Sequence, residues 1–177
     1  MILKYIMKLL YIKSVENSTK LCGTQIKSEK IRIAIKLINF YDKDITTIIN
    51  DINELIDIIH EEEAWAGIHC CGNTDWEMVL ETKLDILNFD AYNYLDNLLL
   101  YSSALNKFLG RQGILAWGLV PNDKESLSQA TVSTLVKIIE TADREKDILK
   151  NNVLVTPSCG CGTLDEPSAE KVHQLAG

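Results

Sequence analysis

Ala64-Trp65-Ala66-Gly67-Ile68-His69-Cys70-Cys71-Gly72-Asn73 carries the pattern that sets the fold. A short apolar run ends abruptly in an imidazole, two thiols and a Gly-Asn turn. Four to eight apolar residues closed by turn signals are predicted to form a buried strand. The polar residues then stand at its C-terminal exit. The same texture recurs downstream. Asp85-Ile86-Leu87-Asn88-Phe89-Asp90 is a second predicted strand, Gly113 to Val120 a third and Asn152 to Thr156 a fourth. Helical segments alternate with them: Asp75 to Lys83, Asn93 to Leu109 closed by Gly110, a long helix through Leu127, Leu135, Ile138, Ile139 and Ala142 with a break expected near Asp143, and Glu166 to Ala176. Strands alternating with helices imply βαβ units and a parallel sheet, hence an α/β fold.

Upstream the texture is different. From Asp44 to His60, Ile45, Ile48, Ile49, Ile52, Leu55, Ile56 and Ile59 recur at steps of three and four with polar residues between them, which predicts an amphipathic helix capped by Asp44. Ser28 to Tyr41 places Ile31, Ala34, Ile35 and Ile38 on one helical stripe, and residues 1–27 have no clear period. The expected organisation is a helical lead over 1–63 and an α/β domain over 64–177.

Composition narrows the classes. The chain has 177 residues, 46% apolar and 24% charged, with a formal charge of −7. That suits one globular domain. The acidic balance gives no help to binding nucleic acid or an anionic membrane, and neither is expected as a partner. Met1 to Lys13 is apolar but interrupted by Lys4 and Lys8, too short for a bilayer span and without a small-residue cleavage site. A peripheral amphipathic helix is the alternative there. The five cysteines, Cys22, Cys70, Cys71, Cys159 and Cys161, are an odd number, which argues against a disulfide framework and for a reduced cytoplasm.

In a parallel array the polar exits share one face, where α/β folds place their chemistry. His69-Cys70-Cys71, Asp90, Trp117 to Asn122 and Ser158-Cys159-Gly160-Cys161 all fall there. In extended chain residues i and i+2 point the same way, so His69 and Cys71 can grip one ion while Cys70 faces elsewhere. Cys159 is a third candidate ligand and Asp90 a possible oxygen donor. Imidazole and thiolates select zinc over magnesium or calcium. Two thiolates and a neutral imidazole bring Zn²⁺ close to zero net charge. Such a centre activates a bound thiol better than a water, which favours sulfur alkylation over hydrolysis.

Simpler readings stand beside these. Cys22 fits a small buried hydrophobe, and Cys161 fits either packing or a spare ligand. Cys70 or Cys161 could complete a four-ligand structural zinc site, although no C-x₂-C knuckle is present. His60 and His173 fit solvated helix surfaces. Glu61-Glu62-Glu63 fits a helix end. Trp65, Trp76 and Trp117 fit core or rim packing; Tyr92 and Tyr94 could line a pocket, and core packing of one of them is the equal alternative.

Gly67-Ile68-His69-Cys70-Cys71-Gly72-Asn73-Thr74-Asp75-Trp76, Leu87-Asn88-Phe89-Asp90-Ala91-Tyr92, Leu115-Ala116-Trp117-Gly118-Leu119-Val120-Pro121 and Thr156-Pro157-Ser158-Cys159-Gly160 occur in that order. Together they resemble the catalytic C-terminal part of the archaeal-type cobalamin-independent methionine synthases, within the uroporphyrinogen decarboxylase-like methyltransferase superfamily. The resemblance covers about residues 64–175. It implies the C-terminal half of a TIM (β/α)₈ barrel, with zinc held by His69, Cys71 and Cys159. It also implies methyl transfer to a zinc-bound thiol such as homocysteine or coenzyme M, from a methylcorrinoid protein or a methylated pterin. Asp90 stands near the family's glutamate ligand, one carbon shorter, and would bind metal or the substrate's amino group.

A full barrel needs eight strand–helix units and about 250 residues, whereas four units are read here, all after residue 63. A half barrel would expose two raw parallel edges, so a second chain completing the barrel is expected. A non-catalytic zinc-binding subunit or remnant is the alternative. A metal-free uroporphyrinogen decarboxylase-like enzyme ranks last, because it has no use for these thiols.

Overall fold

A computed structural model describes residues 7–13, 31–34, 44–146 and 153–177. Strands β1 (Met7–Lys13), β2 (Ile31–Ala34), β3 (Ala64–Cys70), β4 (Ile86–Phe89), β5 (Ile114–Val120) and β6 (Val153–Pro157) form one sheet in the order β2-β1-β3-β4-β5-β6. β3, β4, β5 and β6 are mutually parallel, as the alternating pattern predicts. Helices α1 (Ile45–Glu61), α2 (Trp76–Glu81), α3 (Ala91–Leu99), α4 (Ser102–Gly110), α5 (Lys124–Gln129), α6 (Val132–Lys146) and α7 (Glu166–Ala176) complete the described elements. No described helix is long and apolar enough to cross a membrane.

The lead departs from the helical expectation. Met7–Lys13 is a strand, which also removes the amphipathic-helix alternative there. It pairs antiparallel with β3 over its whole length, from Met7 opposite Cys70 to Lys13 opposite Ala64. Ile31–Ala34 is a strand too, antiparallel to β1. Ile31-Arg32-Ile33 alternates apolar and polar, and β-branched residues favour the pleat, so period two wins over the longer helical stripe. Ile35, Ile38 and Cys22 lie outside the described residues. One consequence concerns the edges. Of the two raw parallel edges expected, the one on β3 is covered by β1, and among the described residues β6 is the outer strand on the other side.

α1 forms as its pattern predicts. Asp44 caps it, with Oδ1 accepting from the Thr47 amide at 3.0 Å. Ile48, Ile52, Ile56 and Ile59 are buried against the sheet side that carries Ala64, Ala66 and Ile68. Each such burial contributes about 1.5–3 kcal/mol, an upper figure because unfolded chains are partly compact. An aromatic chain closes the core behind the sheet. Trp76 meets Phe89 edge-on with centroids 5.8 Å apart, and Phe89 lies 6.3 Å from Trp117. Arg111 stacks over Phe108 and donates to the Leu80, Thr82 and Leu84 carbonyls, tying α4 to the end of α2.

Two predicted helices are each broken. The segment read as Asn93 to Leu109 divides into α3 and α4 at Leu100-Tyr101. A straight helix carrying Leu95, Leu98 and Leu99 inward would next turn Ser102 and Asn106 to the core. The break rephases the chain so that Ala104, Leu105 and Phe108 face inward instead, and Leu100 is left 79% exposed. The long helix breaks at Ala130-Thr131, not near Asp143. There Thr131 and Thr134 cap each other, each hydroxyl accepting the other's amide, at 3.2 and 2.9 Å.

β5 is buried throughout, and Gly118 is where its neighbours come closest. A Cβ at Gly118 would lie 2.5 Å from the Phe89 carbonyl oxygen and 2.7 Å from the Ser158 Cα, both backbone atoms. Gly118→Ala is therefore expected to cost about 1–3 kcal/mol of stability, read as a lower urea midpoint with unchanged slope.

Three helices share one titration. Asp44, Asp123 and Asp165 cap α1, α5 and α7, and all three carboxyls sit below the ordinary range. The backbone amides of Thr47 and Ser126 hold down the first two, and the Lys124 ammonium followed by Ser168 the third. A carboxyl with a lowered folded pKa stabilises fully above its unfolded value, about 3.9, and loses that as pH falls through the folded one. Thermal midpoints should be level from about pH 7 to 5 and fall below about pH 4.

Candidate metal centre

All four parallel strands end on the same side of the sheet. His69 is the penultimate residue of β3 and Cys71 follows its end; Asp90 follows β4, Asn122 follows β5, and Ser158-Cys159 follows β6. The donor atoms of His69, Cys71 and Cys159 all lie within 4.8 Å of one another. Ligand atoms around a tetrahedral zinc with bonds of 2.0–2.3 Å stand about 3.5–3.8 Å apart, so small side-chain rotations close the set. This group could hold a metal ion. It joins residues 90 positions apart in the chain (159 − 69), brought together by the sheet. His69 is buried, while both sulfurs are reached from solvent, which leaves an ion a way in.

Asn88 orients the imidazole, and the sequence reading passed over it. It stands in register with His69 on the neighbouring strand. Its Nδ2 donates to the Ala116 carbonyl at 2.9 Å and to the Thr156 hydroxyl at 2.8 Å. A carbonyl can only accept, so the amide's orientation is decided and Oδ1 faces His69, 2.5 Å from Nδ1. His69 Nδ1 therefore carries the proton and donates it to Asn88. In the neutral ring that arrangement makes Nε2 the nitrogen that can take an ion. A polar residue inside the apolar run Ile86-Leu87-Asn88-Phe89 was the available signal, since buried amides occur where a partner needs them.

The other candidates sort by where they point. Cys70 faces the opposite side of β3, as the alternation predicts, and is buried in the core. Desolvation, with Cys71 beside it adding, pushes its thiol up to about 12, so it stays neutral. Cys161 packs on the apolar cluster of Val120, Leu127, Leu135 and Val172 and is outside the donor group. Asp90 is also outside it. Its carboxylate caps α3, with Oδ1 accepting from the Asn93 amide at 3.1 Å and Oδ2 from the Asn93 side chain at 2.7 Å.

The residues after Cys71 do structural work. Asn73 Oδ1 accepts from the Thr74 amide at 3.1 Å and the Trp76 indole at 3.0 Å. Asp75 caps α2 through the Met78 amide. The motif is thus divided: His69 and Cys71 face the site, and Asn73, Asp75 and Trp76 build the turn that follows. His60 is held by Asp85 at 2.8 Å, whose same oxygen accepts from the Ala66 amide at 2.7 Å. Tyr92 lines a shallow cavity of about 290 Å³ between α3 and α6 with Asp96, Lys137 and Thr141, and Tyr94 packs on the core.

The chain was compared with protein-family models, with curated proteins and with solved structures, and no match was found in any of the three.

Proposed function

We propose that His69, Cys71 and Cys159 hold a zinc ion with one coordination position open, and that the chain transfers a methyl group to a thiol bound there. The observation that carries this reading is the convergence of one imidazole nitrogen and two sulfurs, with Asn88 setting the imidazole tautomer. The donor set is soft and its charges nearly cancel those of a divalent ion. When bound, zinc supplies the Lewis acidity that keeps a thiol deprotonated at neutral pH. The chain's own residues set the rest. Cys71 and Cys159 bring two negative charges, which keep the substrate sulfur electron-rich. That sulfur attacks a methyl carbon in line: the S–C bond forms, the donor–C bond breaks, and the electron pair leaves with the donor. A methylcorrinoid or a methylated pterin suits such a step, and homocysteine or coenzyme M suits the acceptor. In this reading Asp90 positions the substrate's amino group from the cap of α3.

The four βα units are, on the same proposal, the C-terminal half of a (β/α)₈ barrel. A second chain would close it through β6 and would have to displace β1 from β3. That last requirement favours a second reading, a metal-binding subunit without turnover of its own. The commitment of both Asp90 oxygens to Asn93 points the same way.

Metal analysis of the purified chain tests the common part. One zinc per chain is expected, lost in Cys159→Ser; a metal-free wild type loaded with excess zinc and still empty would sink both readings. Methyl transfer from methylcobalamin to homocysteine or coenzyme M then separates them, because zinc without product leaves only the subunit. Asn88→Ala frees the imidazole to rotate and exchange tautomers. It should weaken zinc binding about 10- to 100-fold in chelator competition.

A further inference from the structure

We infer that Asn122 is a positioning residue of the metal centre: its side-chain amide clamps the two residues flanking Cys159 and so presents the third sulfur to His69 and Cys71. This rests on the metal-binding reading above and adds a residue that is not a ligand.

The three donors are not held alike. His69 is fixed by the sheet ladder, and Cys71 comes directly off the end of β3. Cys159 lies beyond the end of β6, in a bend with no ladder around it. Something else must hold its backbone, because a loop cysteine free to wander by 1–2 Å would spoil a tetrahedral site whose bonds vary by only about 0.2 Å. The loop after β5 supplies the hold. The Ser158 amide donates to the Val120 carbonyl at 2.8 Å, which extends the β5–β6 pairing by one bond. The Ser158 hydroxyl donates to Asn122 Oδ1 at 3.1 Å. Asn122 Nδ2 donates to the Gly160 carbonyl at 3.1 Å. A carbonyl only accepts, so the amide orientation is decided here too, and one planar group bridges residues 158 and 160 with Cys159 between them.

The bridge is chemically particular. Aspartate at 122 would keep the acceptor for Ser158 but lose the donor to Gly160 and set a charge against that carbonyl. Alanine would lose both bonds. Ser158 is buried, so its hydroxyl has no ready solvent replacement when Asn122 is removed. Two asparagines thus serve the same centre, Asn88 from β4 and Asn122 from the loop after β5: Asn88 sets the imidazole, and Asn122 sets the distal sulfur.

The test uses the full chain loaded with Co²⁺ in place of zinc, whose near-ultraviolet sulfur-to-metal charge-transfer absorption reports how many thiolates are bound. Asn122→Ala should weaken metal binding about 10- to 100-fold in chelator competition and lower the charge-transfer intensity toward that of Cys159→Ser. Asn122→Asp should fall between wild type and Asn122→Ala. The metal-free Asn122→Ala chain should melt within a few degrees of metal-free wild type, because the lost bonds lie in one loop. Where Asn122→Ala does not fold, Ser158→Ala, which removes one of the two bonds, carries the same expectation at smaller size. Unchanged affinity and unchanged absorption in the variants, with wild type binding cobalt, overturn the inference. A wild type that binds no cobalt or zinc overturns the metal-binding reading instead.

Discussion

A neutral imidazole offers an ion one nitrogen, and which one depends on what the other nitrogen touches. In this chain that choice is made by Asn88, which spends both amide hydrogens on Ala116 and Thr156 and is left with an oxygen to turn toward His69. The interaction joins side chains or backbone from four consecutive strands, β3 to β6. It can form only if those strands are parallel and in the observed register, with His69, Asn88, Ala116 and Leu154 side by side. Fold and site are therefore one constraint. A slip of one residue in β4 would send Asn88 into the apolar core, leave its amide unpaired there and free the imidazole at the same time.

That coupling explains what could be read from the residues. Strand exits were legible because each apolar run ends in residues with a different job: thiols and imidazole after Ile68, a cap after Phe89, a proline-asparagine turn after Val120. Ile48, Ile52, Ile56 and Ile59 were legible as a buried stripe because period 3.6 persists over four turns. The H-x-C pair was legible because alternation is local. What stayed hidden is what depends on distant partners. Nothing near Met7–Lys13 states that it will lie against Ala64–Cys70. Nothing near Asn88 states that His69 stands opposite. The helix breaks at Leu100 and Thr131 were half legible: the apolar phase jumps between Leu99 and Ala104, and Thr131-x-x-Thr134 is a reciprocal cap, but both are weak against a continuous helical pattern.

The covered edge of β3 changes what a partial barrel would need. Parallel strands bury both faces and expose no stable edge, so a four-stranded parallel fragment would be expected to seek a partner on both sides. Here the chain answers on one side with its own antiparallel pair, β1 and β2. Antiparallel pairing is slightly stronger per residue than parallel pairing, and β1 spans all seven residues of β3. A partner competing for that edge would have to outbid an intramolecular strand that has no association entropy to lose. The β6 side has no such cover among the described residues.

It is on the β6 side that Cys159, the third candidate donor, sits, and the packing there is tight for a reason that bears on the donor group. Gly118 lets β5 approach the Phe89 carbonyl and the Ser158 backbone more closely than any side chain would allow. The ladder is irregular there, with Gly118 opposite Thr156 but Val120 opposite Pro157. The irregularity re-aims the chain as it leaves β6, and the Ser158 amide then bonds Val120 before the backbone turns at Cys159. A regular ladder with a larger residue at 118 would carry Ser158 outward and take Cys159 with it. Gly118, with no Cβ, thus sets how closely β5 and the chain leaving β6 approach each other, which is why the buried strand β5, with none of the three donors on it, bears on where the Cys159 sulfur stands.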